Sequence, residues 1–247
     1  MFMSKLVAGD ASNSSESTNP PMGRGILFSE MTPPSGRESE FNAWYDEEHI
    51  PLRMGVAGFY GAQRYRETTP GQGAPGGYLA VYDTADADVF RSAAYGEVKG
   101  RPSALTKDML SSVSGFTRYL ANELDRVAQP GLAHPEQVPV LYAVWFEVPT
   151  ERLADFDDWY ARDHIPLLMQ STDWGMVRRF HVVDGDPPQG NRLALHYLKD
   201  VAALDSDARA KARATPWRTR ISAEPWFKAR YQVFTAQGPR FHPAIAR

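Results

Sequence analysis

Two histidines in this sequence stand in the same setting. Phe41-Asn-Ala-Trp44-Tyr45-Asp-Glu-Glu48-His49-Ile-Pro51-Leu returns 115 residues later as Phe156-Asp-Asp-Trp159-Tyr160-Ala-Arg-Asp163-His164-Ile-Pro166-Leu. On a helix, Phe41, Trp44, Tyr45, Glu48 and His49 fall at i, i+3, i+4, i+7 and i+8, one continuous face, and the second copy repeats it. Such an aromatic stripe packs on a sheet and carries the imidazole inward. An imidazole titrates near pH 6.5, so His49 and His164 are candidate general acid/base groups. A structural reading stands beside that one, in which the histidine completes the stripe and hydrogen-bonds a loop carbonyl. No metal site is expected, because each motif offers one histidine without H-x-H or H-x-x-x-H spacing. Pro51 and Pro166 disfavour helical geometry at the residue before them, which predicts each histidine in the last helical turn. A cation there is favoured by the helix dipole, by about 0.3–1 kcal/mol.

Strand acids form a second constellation. Ile26-Leu-Phe-Ser-Glu30 and Ala143-Val-Trp-Phe-Glu147 match in kind, so Glu30 and Glu147 each share a strand face with apolar residues. A carboxylate there is costly to bury alone. Either it is solvated at the strand end, paired with Arg64 or Arg179 of a neighbouring strand, or it lies in a cavity as a proton acceptor with a raised pKa. Glu30 and Glu147 therefore join His49 and His164 as catalytic candidates. Candidate substrate contacts are Tyr45, Tyr160, Arg64, Arg179, Tyr82, His196 and His181. The copies diverge at polar positions: Tyr82 answers His196, Arg66 answers His181, and Gly58-Phe59 answers Asp173-Trp174. One site surviving from two produces such divergence, and so does drift. The second half holds the richer polar set, which points the expected site there.

The elements that carry these residues occur twice in one order. A strand (25–31, 139–147) leads into the motif helix (37–50, 150–165), then two strands (59–67 with 77–83, 174–183 with 192–198). A second helical region and a last strand (115–122, 226–235) follow. This is βαββαβ twice, an α+β chain of two ferredoxin-like repeats. A four-stranded antiparallel sheet with helices on one face must bury the other, and two such sheets face to face do so within one chain. The predicted organisation is a polar, Pro-containing tail over 1–22, repeat 1 over 23–124, a Pro/Gly/Gln-rich linker over 125–138, repeat 2 over 139–237 and a tail over 238–247. Gly71 to Gly77 is read as a hairpin loop, and His134 and His242 as solvated.

The motif W-Y-x-x-[E/D]-H-[I/V]-P, carried by Trp44, Tyr45, Glu48, His49 and Pro51 and again by Trp159, Tyr160, Asp163, His164 and Pro166, resembles the dimeric α+β barrel superfamily and its EthD-like branch. The resemblance spans residues 24 to 236. It implies a barrel of face-to-face sheets, closed within one chain as a pseudo-dimer. Members range over cofactor-free monooxygenases, isomerases, polyketide cyclases and, in tandem forms, haem enzymes, so fold does not select the chemistry.

Composition sets the remaining bounds. The 247 residues carry 27 Lys and Arg against 30 Asp and Glu, and that balance argues against a nucleic-acid partner. No apolar stretch approaches the roughly 20 residues of a membrane helix. Without cysteine there is no disulfide, thiol nucleophile or thiolate ligand. The N-terminus has neither the basic start nor the apolar stretch of a secretory signal, which makes cytoplasmic the expected location. G-x-S-x-G and P-loop motifs are absent. The basic stretch Ala208 to Arg220 reads as a solvated helix face or as a patch for an anionic ligand or acidic partner. The expectation is a small-molecule enzyme: acid/base chemistry in the barrel cavity (isomerase, lyase, cyclase or cofactor-free oxygenase) on an aromatic or carbonyl compound. No cofactor is required. The alternatives are a haem enzyme and a non-catalytic binding protein, and the chain is a monomer with an internal pseudo-dimer or a homodimer.

Overall fold

The computed structural model describes residues 22–68 and 77–243, apart from the side chain of residue 136. The tail expected over 1–22 falls outside them up to residue 21, as do residues 71–76 of the Gly-rich hairpin loop and residues 244–247. Eight strands form one closed antiparallel barrel. In the first half β1 (Gly25–Met31), β2 (Phe59–Glu67), β3 (Tyr78–Thr84) and β4 (Arg118–Ala128) run in the order β4-β1-β3-β2. In the second, β5 (Val140–Phe146), β6 (Trp174–Asp186), β7 (Arg192–Leu198) and β8 (Arg230–Phe241) run as β8-β5-β7-β6. Two seams join the halves, β2 to β8 and β4 to β6, so no sheet edge is left open. The seams also lengthen the last strand of each repeat. Asp125 to Ala128, placed with the linker by composition, continue β4 against Arg179 to Met176, and β8 runs through Gly238 to Phe241. His134, read as solvated, is buried.

Strand register corrects the pairing of the acids. Leu27 lies opposite Tyr82, and Tyr142 lies opposite His196. Glu30, opposite Leu79, therefore corresponds to Trp145, opposite Leu193, and not to Glu147. A two-residue slip leaves every side chain on its own face, so alternation alone could not detect it.

Three apolar cores follow from the two sheet faces. One fills the barrel, where Phe28 meets Trp145 edge-on at 5.3 Å and Tyr119 packs on Trp145 at 4.6 Å. The middle of the lumen is packed, since eight strands enclose just enough room for side chains, and a cavity of about 180 Å³ remains at its mouth, lined by Glu30, Thr117, Gln232 and Phe234. Buried charges close one end of the lumen. Arg178 donates to Asp83 (2.6 Å) and Glu123 (2.7 Å), and Arg240 donates to the second Asp83 oxygen. Burial alone raises the Asp83 carboxyl, but Arg178 and Arg240 outweigh it and hold it below its usual range.

The other two cores lie outside the barrel, one per half, between sheet and helices. The motif helix of the first half comprises α1 (Glu38–Trp44), a π-helical turn Tyr45–His49 and α2 (Ile50–Met54). Its counterpart is α5 (Leu153–Trp159), the π turn Tyr160–His164 and α6 (Ile165–Leu168). Both helices continue past the proline that was expected to end them, because the wide π turn before each proline accommodates its ring. Two short helices complete each half: α3 (Ala93–Gly100) and α4 (Ala104–Ser112), then α7 (Asp207–Arg213) and α8 (Pro216–Ser222). Side-chain caps put them in register, Ser92 with Ser206 and Ser103 with Thr215. Counting from these caps, Tyr95 corresponds to Arg209 and Thr106 to Arg218. No helix among the described residues is long and apolar enough to cross a membrane.

Candidate functional site

The second-half layer encloses a cavity of about 140 Å³ between the outer sheet face and the helices. Strands β5 to β7 supply Tyr142, Trp174 and His196, the motif helix supplies Trp159, Tyr160 and His164, and α7 and α8 supply Arg209, Arg213 and Arg218. No carboxylate lines it. A cavity near 150 Å³ holds benzene, so this one takes a single ring with small substituents.

Its polar centre is a chain of three side chains. Trp174 Nε1–H donates to His196 Nδ1 at 3.0 Å, and His196 Nε2 lies 2.8 Å from Tyr160 Oη. An indole only donates, so Nδ1 must hold a lone pair. Burial, then the neighbouring His164 and Arg209, push the His196 pKa well below its ordinary value, and the ring is neutral. Its proton therefore sits on Nε2 and is donated to Tyr160 Oη, which leaves the phenol's own proton for a ligand. Burial raises the Tyr160 pKa, so the phenol stays protonated and acts as a donor.

His164 packs on Trp159 with ring centroids 4.9 Å apart, and its Nδ1 donates to Ala212 O at 3.3 Å. Burial lowers its pKa to about 4, so at neutral pH Nε2 carries a lone pair. Arg218 stacks over Phe227 at 4.4 Å and Trp159 at 5.8 Å. Where Trp44 Nε1 in the first half donates to Thr106 Oγ1 at 2.9 Å, Trp159 Nε1 is buried with no partner, because Arg218 has replaced the acceptor.

The first-half counterpart is filled. Tyr95 stacks on Phe59 (5.9 Å) and meets Phe90 edge-on (5.2 Å), and Arg53 lies over Tyr82 at 5.9 Å. His49, 4% exposed, is wedged 4.2 Å from Trp44, its pKa pushed well down by burial and by Arg53 and Arg64.

Of the candidates read from sequence, the structure brings together His164, Tyr160 and His196. Tyr45, His49 and Tyr82 share the filled core of the first half. Arg64 is buried beneath its own motif helix, donating to Asp46 and Asn42 with its guanidinium 4.7 Å over Tyr45. Arg179 donates to Asp125 and to Asp157 O. Neither arginine pairs with Glu30 or Glu147. Glu30 stands at a barrel mouth, accepting from Thr117 (3.0 Å) and Gln232 (2.8 Å), while Glu147 lies beyond the end of β5 and is exposed. His181 is an exposed residue of β6 opposite Arg192. The arginines of α7 and α8 were visible only as a basic stretch.

No family model matches the chain, and no curated protein matches it in sequence. Solved structures do match in shape. An anthrone oxidase-like protein overlays with a TM-score of 0.62 at 9% identity, over 89% of this chain and 94% of that one. A putative monooxygenase from Fusobacterium nucleatum gives 0.56 at 10%, over 89% and 95%. A chlorite dismutase mutant from Candidatus Nitrospira defluvii gives 0.53 at 8%, over 87% and 90%. The fold is the dimeric α+β barrel. In this tandem barrel both pseudo-subunits belong to one chain. A haem, which some barrels of this fold bind, does not fit the residues present. The cavity has room for one ring, not four pyrroles.

Proposed function

We propose that the second-half cavity binds a single-ring phenol, enol or aryl ketone and moves a proton on it. The Trp174–His196–Tyr160 chain carries this reading. An oxygen placed at Tyr160 Oη receives a preorganised hydrogen bond in a site shielded from water, where such donors stabilise a developing oxyanion most. His164 Nε2 is the base. An imidazolium is costly there alone, but removing a proton beside a carbonyl creates an enolate that offsets its charge. The enolate then takes a proton at another carbon, as in an isomerase, or reacts with molecular oxygen, as in a cofactor-free oxygenase. Neighbours named anthrone oxidase-like and monooxygenase support the second exit by shape alone. An anthrone has three fused rings, more than this cavity takes, so single-ring compounds are the class to test.

The experiment is deuterium exchange at the α-carbon of aryl methyl ketones, followed by NMR, with oxygen uptake measured on the matching phenols. Wild-type protein should accelerate exchange, and His164→Ala and Tyr160→Phe should return it to the buffer rate. Saturable binding with exchange at the buffer rate for wild type would assign a binding protein instead.

A further inference from the structure

Most buried or half-buried arginines of this chain face an acid. Arg64 meets Asp46, Arg178 meets Asp83, Arg179 meets Asp125 and Arg192 meets Asp157. Arg53 and Arg209, also half-buried, donate instead to the backbone carbonyls of His49 and Leu204, and Arg218 does neither. It is half-buried against Phe227 and Trp159, and among the described residues no carboxylate lies within ion-pair distance of it or of Arg213. Burial and then the field of Arg213 pull its pKa down. Charges this sheltered are ordinarily paired, so this guanidinium has been left for a partner from outside. At the matching first-half position stands Thr106, which serves Trp44 and Glu48. Arg218 thus forgoes that hydrogen bond, and Trp159 Nε1 is stranded by the exchange.

The position of the cations orders the ligand. Tyr160 and His196 are fully buried at the inner wall. Arg213 is exposed at the mouth, and it and Arg209, one helical turn apart on α7, also border an outer groove with Leu204 and Ser206. Arg209 already donates to Leu204 O at 2.6 Å, which leaves Arg213 and Arg218 as the available pair. A planar guanidinium beside a slot for one ring suits the two oxygens of a carboxylate.

We propose that the ligand is a ring acid: a single-ring phenol or enol whose hydroxyl oxygen reaches Tyr160 and whose carboxylate is held at the mouth by Arg218 and Arg213. This rests on the reading of the same cavity given above and adds the ligand's fixed charge.

The test is affinity of the full-length protein for 4-hydroxybenzoate, its methyl ester and phenol, read by fluorescence of the wall tryptophans and by calorimetry. The acid should bind at least about tenfold tighter than either neutral compound, the worth of one charge-assisted contact. Arg218→Gln should close that gap, and Arg213→Gln, at an exposed position that leaves the fold intact, should narrow it; so should raising the salt. Equal affinity for acid and ester, or no saturable binding of the acid at millimolar concentration, overturns the proposal. Tyr160→Phe separates the two readings. It should weaken acid and phenol by one common factor and leave the gap in place. If it changes neither, the oxyanion role of Tyr160 fails while the arginine assignment stands. If the gap is missing yet phenol binding depends on Tyr160, only the ring acid is lost.

Discussion

The two halves share a backbone and differ in what occupies the space between helices and sheet. In the first, Phe59, Phe90 and Tyr95 interlock and Thr106 satisfies Trp44. In the second, Trp174 stands for Phe59, His196 for Tyr82, Arg209 for Tyr95 and Arg218 for Thr106. Those exchanges open a cavity, introduce a directed hydrogen-bond chain, strand one indole N–H and leave one guanidinium without an acid. The open cavity and the directed hydrogen-bond chain mark the second half as the one that gives up packing for a site. In the first half the same space is filled by packed rings, with Arg53 over Tyr82.

Paired substitutions break or sharpen that contrast. The largest effect is expected at the motif histidines: His164→Ala should slow proton transfer by about 10²–10⁴-fold, whereas His49→Ala should leave the rate intact and lower the melting temperature. Equal loss of activity in both would show that the halves are not specialised. Next, Tyr160→Phe should cost about 10²–10³-fold in kcat, in the range of a lost oxyanion donor, with Tyr45→Phe close to wild type in the same assay. A smaller effect concerns pH. His49, His164 and His196 are held neutral by burial and bind a proton more tightly in the unfolded chain. Their contribution is complete above about pH 6.5 and is lost as pH falls toward the His164 value of about 4. Urea unfolding at pH 7.5, 6 and 5 should show stability falling by on the order of 2 kcal/mol for each of these histidines that stays neutral at pH 5, and a flat profile would contradict the buried, neutral state. Thr106→Val should then cost about 1–3 kcal/mol by stranding the Trp44 indole. The reciprocal Arg218→Thr should raise stability by about 0.5–1.5 kcal/mol, since it gives Trp159 its acceptor back; calorimetric melting reads both.

The repeat, the order of elements and the inward histidines were legible because aromatic periodicity on a helix is local and strong. Tyr160 was legible as part of the repeated motif and His196 as a divergent position, although their contact crosses from helix to strand. Glu147 was misplaced because a two-residue slip in β5 preserves its alternation. The ends of β4 and β8 were hidden because Asp125-Arg126 and Gln237-Gly238 read as polar loop, and only the opposite half pairs them. The site was expected in the lumen because both faces of each sheet carry apolar residues, and nothing in one strand says which face meets a gap. Arg218 looked like a solvated charge. Its role depends on Phe227, beyond the end of its helix, and on Trp159, 59 positions earlier, closing over it.

The seams of the barrel bear on how the chain is made. Both edges of the first sheet, β2 and β4, find their partners only in β8 and β6; Gln63, for example, donates to the carbonyl of Gln237, 174 positions further on. While a ribosome is still delivering the second half, the first therefore stands with two unpaired strand edges. Long-range pairing of this kind is slow to form and open to wrong partners, a neighbouring nascent copy above all. The polar and charged residues that fill the late parts of β4 suit that interval, because they keep the waiting edge in water until its own second half arrives.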